Sequence, residues 1–244
     1  MYKKWKLNYI EICSGPGRCI DRQGGIEFNG SSLSILKHKA YEHIDHALFF
    51  DFDPNVVKTL NTRIRNLQVP NAVCFIGDYF KSESISGRIR EQITPRSLNL
   101  IFIDPTDCSV PFKLIKDIKA AIPNSDFIIN IASGTDLNRN IINAILEPKT
   151  HTKSVLKYSR FLYGTDFFND QKNRTLAKQG NNLGLREGFR SQYQESMKAL
   201  GYQHFRFQRI KHFYDILFAS QHEKGLEFWD KATSINFDGQ RSLF

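Results

Sequence analysis

Apolar residues fall in short runs along the first half of the chain, with longer amphipathic stretches between them. Leu7–Cys13 predicts a first strand, Ala47–Asp51 a second, Val73–Ile76 a third, Leu98–Ile103 a fourth and Asp126–Ile131 a fifth. These runs carry few alternating polar residues, the pattern of strands covered by helices on both faces. Ser32–Tyr41 reads as a helix with Ser31 or Ser32 at its N-cap. Pro54 stands where a helix opens, and the helical period continues to about Asn66. Pro111 opens another helix that ends before Pro123. Alternating strands and helices predict βαβ units and a parallel sheet.

The second half changes character. Residues 148–183 are polar, aromatic and basic without a clean period, and are expected to form an insertion with a loop or lid-like role. Phe189, Tyr193, Met197 and Leu200 then fall on one face of a helix as core, and Gly201 closes that helix as its C′ residue. Tyr202–Arg209 and Lys211–Ser220 are β-rich and nearly contiguous, which predicts an antiparallel hairpin whose last strand inserts beside the fifth. The expected fold is α/β and Rossmann-like, a mainly parallel seven-stranded sheet with a late antiparallel hairpin. It is read as a single domain over 1–244 with a basic insertion at 148–183 and a frayed tail from about Gly239. No internal repeat or low-complexity segment is visible.

Composition narrows the setting. No run of eighteen apolar residues exists, so no transmembrane helix is expected. The first residues, MYKKWKLNYIEI, lack a long apolar core and a cleavage site, so they read as the start of the fold and not a signal peptide. Cys13, Cys19, Cys74 and Cys108 show no C-x-x-C spacing, which argues against zinc and for reduced thiols in the cytoplasm. The net charge of +9 is concentrated: residues 151–212 hold 12 Lys/Arg against 4 Asp/Glu, nearly the whole surplus. Such a segment suits a polyanionic partner, most often nucleic acid.

The candidate chemistry lies where strands end. Glu11, Gly15 and Gly17 follow the first strand, and glycines there allow a tight turn and close backbone approach to a ligand. Glu11 would sit beneath that turn, orienting it or accepting from a ligand amino group through water. Asp51 ends the second strand, where a carboxylate can accept from both hydroxyls of a ribose. Asp53, before Pro54, reads better as a helix cap. Asp78 follows the third strand, placed to accept from an adenine amine. Asp104 follows the fourth, where α/β sheets carry out chemistry, and could orient a nucleophile or accept its proton. A nicotinamide site would need a third glycine, and residues 15–20 (GPGRCI) have none. No G-K-[ST] marks a P-loop. Acids and glycines in this order, closed by a late hairpin, match the class I methyltransferase plan, and S-adenosyl-L-methionine is the expected cofactor.

Carried by residues 9–18 (YIEICSGPGR), 30–33 (GSSL), 50–54 (FDFDP), Gly77-Asp78, 102–105 (FIDP), Asn130, 212–220 (HFYDILFAS) and Phe228-Trp229, the chain resembles the three-Cys-motif partner protein family. The resemblance covers most of the chain and is weakest in the basic insertion. It implies a methyltransferase-like domain and a protein partner bearing a three-cysteine motif. Thr106 and Asp107 depart from it, since the family has an aromatic and a glycine after Asp-Pro. They also depart from the D/N-P-P-aromatic signature that holds a flipped base for amino methylation. Phe112 or the Phe161–Phe168 cluster could stack a base instead, although core packing explains those aromatics better. Cys13 and Cys108 lack the Pro-Cys context of a methylating nucleophile. The leading expectation is a methyltransferase acting on nucleic acid, with catalytic Asp104. The alternatives are a catalytically inactive partner or sensor protein and a binding scaffold in a defence or mobile-element context.

Overall fold

The computed structural model describes residues 5–21, 24–164, 166–210 and 213–234. Lys211, where the final strand was expected to begin, and the tail from Gly239 lie outside these. The main sheet has seven strands in the order β5-β4-β1-β6-β7-β9-β8. They are β1 (Lys6–Ile12), β4 (His46–Asp51), β5 (Ala72–Ile76), β6 (Ser97–Ile103), β7 (Ser125–Ile131), β8 (His204–Ile210) and β9 (Tyr214–Ser220). β2 (Arg18–Ile20) and β3 (Glu27–Asn29) form a separate small antiparallel hairpin. Without that hairpin the order is third, second, first, fourth, fifth, as in a doubly wound Rossmann sheet, with the late antiparallel hairpin expected from sequence.

The chain divides into two compact units, Met1–Ser125 and Asp126–Phe244. In the first, β1 pairs in parallel with β4 and β6, and β4 with β5. Their carboxyl ends therefore share one edge, in the spatial order β5, β4, β1, β6. Helices α1 (Ser31–Lys37), α2 (Pro54–Asn66), α3 (Ser82–Gln92) and α4 (Phe112–Ala121) connect the strands. Phe49, Leu60, Ile64, Leu33 and Leu36 pack into one core cluster, so α1 and α2 are fixed against the strand beside β1. α1 stops at Lys37, earlier than the predicted Tyr41, and a 3-10 turn takes over at Lys39–His43. The N-cap of α1 is Gly30, which has no side chain to cap with, and Ser31, a cap candidate from sequence, is the first helical residue and donates its hydroxyl to Glu11.

The second unit holds β7 to β9 and helices α5 (Asn138–Leu146), α6 (Thr152–Leu162), α7 (Gln171–Lys178), α8 (Asn182–Ala199) and α9 (Glu223–Thr233). β9 runs antiparallel between β7 and β8, as expected. Phe189, Tyr193 and Met197 form the buried face of α8, and Gly201 follows with φ +92°. Leu200 is its half-buried cap and not part of the core stripe. The loop expected over 148–183 is corrected by α6 and α7. Tyr158, Phe161 and Leu162 recur at three and four residues and are buried, so that face needs a helix. Phe161 stacks on Tyr193 at 4.5 Å between centroids, and Tyr158 meets Phe189 edge-on at 5.7 Å. Phe112, Phe161, Phe167 and Phe168 are core and offer no base-stacking face, whereas Tyr163 in the same cluster is 49% exposed.

Candidate cofactor and active site

The loop after β1 is built to approach a ligand with its backbone. It turns through Cys13 at φ +65°, Gly15 at +61° and Gly17 at +86°, a region L-residues other than Asn and Asp rarely enter. At Gly17 a Cβ would also lie 2.9 Å from Leu33 Cγ and 2.9 Å from Leu60 Cδ1, so the core lies directly under it. Above Gly15 the space is open: a Cβ there would meet nothing within 4 Å. Gly30 N donates to Gly17 O at 2.8 Å, and Arg63 Nη1 donates to Pro16 O, which fix the loop from α1 and α2.

Asp51 ties this loop to the neighbouring strand end. Gly15 N donates to Asp51 Oδ2 at 2.9 Å, and Asp53 N donates to Asp51 Oδ1 at 3.1 Å. Ser14 N reaches Phe50 O at 3.1 Å, and Gly77 N reaches the Asp51 carbonyl at 2.9 Å. The turns after β1, β4 and β5 thus form one connected rim. Asp78 is on that rim, half-buried. Its carboxylate accepts from Phe80 N at 3.0 Å and lies 3.9 Å from Lys81 Nζ. Asp53 caps α2 by accepting from Asn55 N at 2.8 Å, the cap role expected of it. Asp104, half-buried after β6, donates its N–H to Ile12 O at 3.2 Å, so it stands beside the end of β1.

Glu11 is beneath the loop and wholly buried. Tyr9 Oη donates to it at 2.9 Å, and the Ser31 hydroxyl donates to its other oxygen. Burial away from water pushes its pKa up to about 7, and the charge of Asp104 adds to the rise, while the Ser31 and Tyr9 hydrogen bonds oppose it. Sequence reasoning named Glu11 but missed Tyr9 and Ser31 as its holders. Tyr9 lies two residues earlier on the same strand face, a legible signal. Ser31 comes from twenty residues on. Burial pushes the Cys13 thiol up to about 12, and Asp51, Asp104, Asp107 and Glu11 raise it further. The scarcity of thiolate makes Cys13 a poor nucleophile, and Cys108 is wholly buried. Phe52, Ile76 and Phe80 are large apolar side chains left exposed beside Asp51 and Asp78. No sequence pattern separated them from core residues.

Among the described residues no group of His, Cys, Asp and Glu could hold a metal ion, and no helix is long and apolar enough to cross a membrane.

No family model matches the chain, and no curated protein matches it. Several solved structures are similar to it. Human methyltransferase-like protein 13 in complex with SAH aligns at 12% identity and a TM-score of 0.46, covering 98% of this chain and 85% of that one. A SAM dependent methyltransferase from Aquifex aeolicus aligns at 11% identity and 0.45, covering 90% and 85%. An uncharacterized protein from Listeria monocytogenes serotype 4b aligns at 8% identity and 0.41 over 88% of this chain, which spans only 62% of that protein's length.

Proposed function

We propose that this protein is an S-adenosyl-L-methionine-dependent methyltransferase acting on nucleic acid. The observation that carries the reading is the hydrogen bond from Gly15 N to the Asp51 carboxylate. It holds an open backbone cradle and a hydrogen-bond acceptor together at the ends of adjacent parallel strands. The residues present fit the cofactor. Each Asp51 oxygen accepts one backbone N–H, and a carboxylate has about four acceptor sites, so both can still accept from ribose hydroxyls. Gly15 and Gly17 line the cradle, Glu11 props it from below, and Asp78 accepts from the adenine amine. When bound, the cofactor supplies an electrophilic methyl group on its sulfonium. Asp104 orients the acceptor nucleophile or takes its proton. Positioning and exclusion of water account for most of the rate in such a transfer. The basic segment 151–212 binds phosphates, and the four free cysteines suit a cytoplasmic setting. The sequence resemblance adds a protein partner with a three-cysteine motif.

A second reading, an inactive cofactor-binding partner or sensor, draws on Thr106 and Asp107 after Asp104-Pro105, together with the burial of Phe112 and Phe161. Two measurements separate the readings. Calorimetry is expected to give a cofactor dissociation constant well below about a millimolar, and a weaker one sinks both. Labelled methyl transfer to RNA, DNA or the partner is expected of the enzyme alone. Asp104→Ala should lower that transfer by about a hundredfold or more and leave cofactor affinity intact.

A further inference from the structure

We infer that Arg186, Arg190 and Arg209 form a phosphate site for single-stranded nucleic acid within the second unit. The inference rests on the nucleic-acid reading above and names the residues that hold the acceptor.

Arg186 and Arg190 are four residues apart on α8, hence on one face. Arg190 Nη1 lies 3.2 Å from Asp215 Oδ2, and Arg209 Nε lies 3.3 Å from Asp215 Oδ1. Arg209 and Asp215 are direct cross-strand partners in the β8–β9 register. Arg186 Nη1 donates to Ser133 O at 3.3 Å, in the π turn Ser133–Leu137 that follows β7. Gly134 N donates to Phe213 O at 3.0 Å, which pins that turn to the residue leading into β9. Arg190 and Arg209 therefore share one carboxylate at one end of the hairpin, and Arg186, one helical turn from Arg190, is held to the turn after β7.

Their donors outnumber the acceptors present. Each guanidinium has five N–H groups. Asp215 is 1% exposed, and its Oδ2, though close to Arg190, makes no aligned hydrogen bond. Arg186 Nε is sealed from solvent and meets no acceptor among the described residues, so only the Nη groups of this half-buried side chain can meet a ligand. Glu187 lies 3.8 Å from Arg190 but is largely solvated, so it neutralises little. Some other cations of the segment are already engaged. Arg206 makes a two-pronged pair with Asp230 at 2.9 and 2.8 Å, and Lys157 binds the buried Asp136 at 2.7 Å. Unspent planar donors suit phosphate oxygens, which the guanidinium fork matches in pairs.

Exposed aromatics beside these cations select the partner. Phe213 is 53% exposed and Phe207 37%, and the Arg190 guanidinium lies 5.6 Å from the Phe207 ring centroid. Cations that track a backbone, interleaved with exposed rings, are the elements of single-strand binding, because any unpaired base offers a face to stack. A duplex keeps its bases stacked on one another and leaves such rings unused.

The test is fluorescence anisotropy of a labelled oligo(U) of about 12 nucleotides across a salt series. Three phosphate contacts predict that log K falls with log salt at a slope of at least about 2. Arg186→Gln and Arg209→Gln should each weaken binding and lower that slope by about 0.7. Phe213→Ala should weaken binding about tenfold at unchanged slope. Arg190→Lys keeps a charge beside Asp215, and should weaken binding at unchanged slope by losing the fork. Lys39→Gln and Lys149→Gln, exposed and outside the segment 151–212, should leave the slope alone. Thermal melts of each variant exclude misfolding. A wild-type slope near zero, a slope altered only by the Lys39 and Lys149 substitutions, or tighter binding to anionic phospholipid vesicles than to oligo(U) overturns the inference. Cofactor calorimetry on the same samples keeps the two proposals apart. Oligo(U) binding without cofactor binding defeats the methyltransferase reading alone, and the reverse defeats this site alone.

Discussion

Glu11 makes stability depend on pH through a single side chain. Its carboxyl has a pKa of about 7 in the folded chain, against an ordinary 4.5. Between those values the folded state binds the extra proton. The stabilisation is fully present below about 4.5, declines as pH rises and is lost above about 7. An interval of about 2.5 units corresponds to about 3 kcal/mol. Glu11→Gln keeps a neutral side chain of the same shape and should remove that decline. In thermal melts at about pH 5 and about pH 8, wild type is expected to lose several degrees more than the variant. Equal losses would show that Glu11 does not titrate in this range. The identity of Glu11 was readable from its place at a strand end. Its burial was not, because it arises from Tyr9 and Ser31 closing over it.

At the scale of elements, α2 is the helix that the sequence defined best. Pro54 at its first turn and Asp53 at its cap agree with the apolar stripe Val57, Leu60 and Ile64. Asp53→Ala should cost about 1 kcal/mol in a melt while leaving cofactor affinity unchanged. A large loss of affinity would instead assign Asp53 to the cofactor. The apolar pattern predicts none of α3, α5 and α9, and it predicts a loop over 148–183. α3 buries only Ile85 and Ile89 as large apolar residues, and α7 only Asn173 and Ala177, among many polar ones. Stripes that sparse leave little periodic signal, and tertiary burial holds these helices in place. The β2–β3 hairpin is three residues a side and exposed, too short for alternation to register.

For the molecule as a whole, a ligand that binds only the folded chain should raise its stability. S-adenosyl-L-methionine at about 100 times its dissociation constant should add about 2.7 kcal/mol, seen as a rise of several degrees in the melting temperature. Asp51→Ala, which also frees Gly15 N, should abolish that rise. A rise preserved in the variant would place the cofactor elsewhere.

What the sequence by itself determined is local. Strand runs, the glycine turn, the α2 cap and the late hairpin follow from spacing, backbone freedom and periodicity over a few residues. What only the tertiary structure decided depends on residues far apart in the chain. Asp51 meets Gly15 across 36 positions, and Arg190 meets Asp215 across the fold of the second unit. A residue's letter states its charge or ring. Whether that charge is already paired, as in Arg206, or left with spare donors, as in Arg186, depends on what packing brings beside it. The aromatics divide in the same way: Phe161 is sealed in the core, while Phe213 faces solvent.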